Sequence, residues 1–245
     1  MLKKIFPLIL FAFIIVGVTK GQIPDTFTNL KVLPKDISKD RLVDIMKSFT
    51  HSLGVRCNYC HEGGEGQPLS TYNFQTDKKT TKQTARIMMN MVKDINSKYL
   101  SELSQFGSNV MQVKCITCHR GVAQPEPLED LLFKTIKSDG LAKAITTYNN
   151  LYKKYYGAFA YDFTDNSLQA LVQKLNDEKM TDAAVAFALI NVKKYPESGV
   201  ANLGLAESYE SKGDKEDAIK YYNRALQLMP RGKDFIEKKL EELTK

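Results

Sequence analysis

The sequence predicts an all-α protein, with helices and loops in its first part and a helical repeat in its second. Three observations predict it. Apolar residues recur at helical spacing in two early segments: Leu42, Ile45, Met46 and Phe49, then Ile87, Met88, Met91, Val92, Ile95 and Tyr99. Leu171 and Leu205, Ala184 and Ala218, and Pro196 and Pro230 are each 34 residues apart. Between the two parts, Pro125 and Pro127 disfavour helix and favour an extended connection across 123–128.

The chain begins as an export signal would. Lys3 and Lys4 precede an apolar run from Ile5 to Val18, and Thr19-Lys20-Gly21 offers small residues before Gln22. Residues 1–21 are therefore expected to be a signal peptide, with an uncleaved membrane anchor as the alternative, and the rest of the chain periplasmic or otherwise exported. The run is short for a bilayer span, and no cysteine follows it directly to carry a lipid.

Residues 22–125 carry the chemistry. Ser38 and Asp40 make a cap-like start for a helix running through Phe49. After it comes Cys57-Asn-Tyr-Cys60-His61, then a loop marked by Gly63, Gly64 and Gly66. A second helix starts at Thr80 or Thr81, and Cys115-Ile-Thr-Cys118-His119 closes the region. The two motifs use all four cysteines and two of the three histidines of the chain. A four-thiolate zinc site would give no reason for His at the same offset after each pair, and a thiol oxidoreductase needs only one pair beside a βαβ unit. C-x-x-C-H is the attachment signature of c-type haem: two thiols bond the vinyl edge of the porphyrin and the adjoining imidazole meets the iron. Two covalently attached haems are expected, on Cys57, Cys60 and Cys115, Cys118, with His61 and His119 as proximal ligands.

The second axial ligands are less directly marked. Met46 lies on the inner stripe of the helix leading into the first motif, while His51 sits on another face near the helix end, so Met46 is favoured. For the second haem Met88 and Met91 share a helix face at i, i+3, Met89 points elsewhere, and Met111 is close in sequence to Cys115. A methionine stripe is otherwise core packing.

Leu30-Lys-Val-Leu33, Arg41-Leu-Val-Asp-Ile-Met46, the first motif, Thr81-Lys-Gln-Thr-Ala-Arg-Ile-Met88 and Thr117-Cys-His-Arg-Gly121 together resemble one half of the cytochrome c subunit of photosynthetic reaction centres. The resemblance covers residues 28 to 124. It implies a helix bearing a methionine ahead of each haem motif, with Met46 on the first iron and Met88 on the second; His51 and Met91 are the weaker alternatives. That family carries four haem motifs in two halves, whereas this chain has two and ends differently.

The ending, residues 126–245, contains neither Cys nor His. Leu205, Ala206, Tyr209, Gly213, Ala218, Tyr222, Ala225 and Pro230 fall in the register of a tetratricopeptide repeat, the unit at 165–198 is a looser copy, and 139–157 reads as half of another. Such repeats leave a concave binding surface, so this part is expected to dock redox partner proteins or a membrane complex. Nucleic acid is not expected. The formal net charge of +7 includes Lys3, Lys4 and Lys20, about four haem propionates offset the rest, and no Lys/Arg run is present. The basic excess, 14 against 9 acids in 22–125, surrounds the haem motifs. The expected activity is single-electron transfer rather than enzymatic turnover; the competing expectations are a haem sensor or partner-binding subunit, and a dihaem peroxidase or reductase using His51 above an open iron.

Overall fold

The computed structural model describes residues 23–107 and 110–245; the expected signal peptide lies outside them. Among the described residues the fold is all-α. The only β pairing among them is one isolated bridge between Glu62 and Asn73. No described helix is long and apolar enough to cross a membrane. The chain forms two compact units. The first runs to Thr50 and resumes over Arg56–Val113; the second comprises His51–Val55 and Lys114–Lys245. The second haem motif therefore falls in the same unit as the C-terminal helices, whereas the sequence reading placed the boundary at 125/126.

In the first unit, α1 (Lys39–Leu53) begins where the Ser38 hydroxyl accepts a bond from the Arg41 amide at 3.3 Å. It runs one turn past Phe49, which puts His51 on the helix itself. A 3₁₀ turn (Cys57–Tyr59) and a second (Leu69–Thr71) precede α2 (Thr80–Asp94). The expected stripe on α2 does not continue as one face to Tyr99, because Ile95–Leu100 is a π-helical segment. Its wider turn changes the angular step between side chains; the stripe is in any case partly open, with Ile87 68% and Tyr99 66% exposed.

Aliphatic burial contributes little to this unit. Among its described residues Leu42 is the one buried hydrophobic side chain, while Ile87 and Phe106 are 68% and 82% exposed. Polar contacts hold it instead. Asp77 accepts from Lys31 (2.7 Å), Asn29 (2.8 Å) and Arg86 (2.9 Å), joining the extended N-terminal stretch to the first turns of α2.

The second unit is packed in the ordinary way. It contains α3 (Cys115–His119), α4 (Leu128–Asp139), α5 (Leu141–Tyr155), α6 (Asp165–Asp177), α7 (Thr181–Lys194), α8 (Gly199–Lys212), α9 (Lys215–Leu228) and α10 (Lys233–Thr244). The start of α4 directly after Pro127 suits a proline's fixed φ and the acidic first turn, Glu129 and Asp130. The 34-residue spacing is also a spacing of elements: α6, α8 and α10 start at 165, 199 and 233, and α7 and α9 at 181 and 215. Pro196 and Pro230 each follow the end of a second helix by two residues. The repeated residues Leu171, Leu205, Ala184 and Ala218 are all fully buried. At about 1.5–3 kcal/mol per large buried side chain, this cluster with Leu168, Phe187, Tyr148 and Tyr222 is the main apolar stabilisation of the unit. The stretch read as half a repeat is one helix of a pair, α4 packed on α5 and on α6.

Candidate haem-attachment sites

Both motifs fold into single turns, by different local routes. In the first, the amides of Cys60 and His61 both donate to the Cys57 carbonyl, at 3.3 and 3.0 Å. A 3₁₀ turn brings side chains i and i+3 to one side, which is where two thiols must stand to reach one porphyrin edge. In the second, Cys115–His119 is an α-helical turn opened by a reciprocal pair: the Thr117 amide donates to the Lys114 carbonyl at 2.9 Å, and the Lys114 amide to the Thr117 hydroxyl at 3.0 Å. All four cysteines are free thiols, and burial pushes those of Cys60 and Cys115 upward, keeping them protonated. Among the described residues no three His, Cys, Asp or Glu side chains converge to hold a metal ion.

The histidines fit a haem iron. His119 Nδ1 lies 2.8 Å from the Val122 carbonyl oxygen, which requires the proton on Nδ1 and leaves the Nε2 lone pair for a metal. The left-handed Arg120 (φ 47°) makes the turn that brings Val122 back under the ring. His61 packs edge-on against Phe74, with ring centroids 4.9 Å apart, and its Nδ1 is buried without a hydrogen-bond partner. Burial first, then the Lys82, Arg86 and Lys79 charges, hold its imidazole down to about 4, so it is neutral at physiological pH, as a ligand must be.

The loop after the first motif is built against it. Asn73 N–H donates to the Glu62 carbonyl at 2.8 Å, and the Tyr72 hydroxyl donates to the Gly64 carbonyl at 2.8 Å. The Tyr72 ring lies where a β-carbon on Gly63 would be, 2.4 Å away, so that position takes no side chain. The start of α2 docks on the motif itself: Lys79 Nζ donates to the Asn58 carbonyl and the Thr81 hydroxyl to that of Tyr59. Lys82, buried, donates to the carbonyls of Phe74 and Thr76 at 2.8 Å each. Sequence reasoning missed Phe74, Asp77, Lys82 and Arg86. The signal for part of them was present: Lys82 and Arg86 stand at i, i+4 on a helix with an acid just ahead of it.

The other expected residues are distributed as follows. Met46 and Met88 are half-buried on α1 and α2, in the same unit as the first motif; Met91, on α2, is 42% exposed. His51 is exposed in the last turn of α1. That last turn also meets the loop behind the second motif. Gly121 N–H donates to the Ser52 carbonyl at 2.8 Å, and Gly54 (φ +66°) approaches so closely that a β-carbon there would lie 2.1 Å from the Gly121 oxygen. Beside the exposed Cys118 a recess of about 580 Å³ opens between α3, the start of α4 and the start of α6, lined by Arg120, Pro127, Glu129, Tyr161 and Asn166.

Comparison with known proteins bears on the same residues. Over 108 residues, 44% of the chain, it is 32% identical to cytochrome c-554 of Chloroflexus aurantiacus. Over 106 residues, 42% of the chain, it is 33% identical to the photosynthetic reaction center cytochrome c subunit of Roseobacter denitrificans. The matches cover 23% and 26% of those two proteins, so this chain spans about a quarter of their length. The family model of the photosynthetic reaction centre cytochrome C subunit matches residues 16–187, which include both motifs and reach into α7. With two C-x-x-C-H turns, a tautomer-fixed His119 and that match, the chain belongs to the photosynthetic reaction centre cytochrome c subunit family.

Proposed function

We propose that this chain is an exported dihaem c-type cytochrome that passes single electrons between redox partner proteins. The observation that carries the reading is the pair of C-x-x-C-H turns, with the Val122 carbonyl fixing the His119 tautomer and burial keeping the His61 imidazole neutral. Cys57, Cys60, Cys115 and Cys118 would hold two haems covalently, and His61 and His119 would be the proximal ligands. Bound haem iron supplies a one-electron centre whose potential the axial ligand and surroundings set. The chain's own part is positioning and exclusion of water. Phe74 restricts the His61 ring, and the half-open apolar side chains of the first unit, Ile87, Met91, Tyr99 and Phe106 among them, suit the flat face of a porphyrin. Met46 for the first haem and Met88 for the second are the proposed sixth ligands, by family resemblance.

The C-terminal helices are proposed as tetratricopeptide-like repeats that dock a redox partner or membrane complex. The common 34-residue offset of helix starts and of buried Leu and Ala positions supports that reading. A pyridine haemochrome assay on protein exported with its signal should give two haems per chain, retained on a denaturing gel. One haem, or haem lost on denaturation, would overturn the assignment.

A further inference from the structure

We propose that Lys79, Lys82 and Arg86 form a fixed positive platform on the proximal side of the first haem and raise its reduction potential, a charge that the Asp77 carboxylate partly offsets. The inference rests on the reading of His61 as that haem's ligand.

The three cations are tied to the backbone or to Asp77. Lys82 is 9% exposed, and its ammonium spends its donors on the Phe74 and Thr76 carbonyls at 2.8 Å and on Asp77 at 3.4 Å. Arg86 reaches Asp77 at 2.9 Å with one nitrogen and the Asn29 carbonyl at 3.2 Å with the other. Lys79 donates to the Asn58 carbonyl, inside the motif. With its three donors used, Lys82 is not a clamp for a propionate or a partner's carboxylate. It is a charge in a poorly solvated place, where burial lowers its pKa and the Asp77 carboxylate opposes that shift.

The platform lies on the histidine side of the ring. Phe74, whose carbonyl Lys82 holds, stacks edge-on to His61 at 4.9 Å. One carboxylate, Asp77, faces Lys82, Arg86 and the more exposed Lys31, so the cluster keeps a net positive charge. Ferric iron carries one charge more than ferrous, so fixed positive charge disfavours the oxidised form. Buried charges are screened little by salt.

The test is spectroelectrochemical titration of the haem-loaded full chain. Lys82→Gln should move one of two one-electron waves down by about tenfold in the ferric/ferrous equilibrium, about 59 mV, and leave the other in place. Tenfold is roughly what one unit charge at about 10 Å supplies at an effective dielectric of about 20. Lys82→Arg should restore the wave, and Asp77→Asn, which removes a negative charge, should move the same wave up. A purely structural role would not give opposite signs. Should Lys82→Gln fail to accumulate, Arg86→Gln must produce the same downward shift. Two unmoved waves, or a downward shift in Asp77→Asn, overturn the inference alone. A wild-type chain with no haem on Cys57 and Cys60 overturns the underlying assignment instead.

Discussion

Gly54→Ala is expected to destabilise the haem-loaded protein by about 1.5–3.5 kcal/mol, and two costs make up that figure. At φ +66° a residue with a β-carbon is strained by about 1–2 kcal/mol. The new carbon would also lie 2.1 Å from the Gly121 carbonyl oxygen, a backbone atom with no flexible end to move. The turn must open, and the 2.8 Å bond from Gly121 N–H to the Ser52 carbonyl opens with it, at about 0.5–1.5 kcal/mol. Gly121→Ala is the internal control. Gly121 has a positive φ too, +85°, but nothing lies within 4 Å of its β-position, so only the conformational cost of about 1–2 kcal/mol applies. Urea denaturation followed by far-ultraviolet circular dichroism reads both. If the two variants are destabilised equally, the close backbone approach contributes nothing and the reasoning is refuted.

Other outcomes follow from the same contacts. Met46→Ala and Met88→Ala should each remove part of the weak ferric methionine–sulfur absorption at the red end of the spectrum while Met91→Ala leaves it; loss of the band in Met91→Ala and not in Met88→Ala would transfer the second ligand to Met91. Leu171→Ala and Leu205→Ala, equivalent fully buried positions, should each cost about 2–5 kcal/mol in chemical denaturation, and a cost below 1 kcal/mol at either would contradict its place in the core. Glu207→Gln should stabilise the protein at pH 7 but not at pH 4. Burial, then Glu210 and Asp177, raise the Glu207 carboxyl above its unfolded value, so its contribution is greatest at low pH and falls as pH rises through the folded value; equal melting temperatures of wild type and variant at pH 7 would argue against that burial.

Much of the attachment chemistry was legible because it is local. Five consecutive residues suffice to place two thiols and an imidazole, and both motifs form one-turn structures with the expected neighbours in sequence. The 34-residue period was legible for a related reason, since each buried Leu and Ala recurs at the same place in the helix two further along the chain. Helix limits were less so. The apolar stripe reads through Ile95–Leu100 as a continuing α-helix, and the π-helical segment there was not legible. The Asp77 cluster was missed because its members are distant in sequence: Asn29 is 48 residues from Asp77 and 57 from Arg86.

By itself, then, the sequence determined an all-α chain and two C-x-x-C-H turns in which a histidine follows each pair of thiols. Those properties depend on spacing within a turn or on a period between turns, and such order survives in any fold the chain adopts. The tertiary structure alone decided the environment of each imidazole. His119 is set by a carbonyl three residues away, but His61 is set by Phe74 and by three cations that the loop and α2 carry to it. It also decided that the second motif belongs with the C-terminal helices. Burial, fixed charge and unit boundaries are properties of segments brought together from far along the chain, and they exist only once the chain has folded.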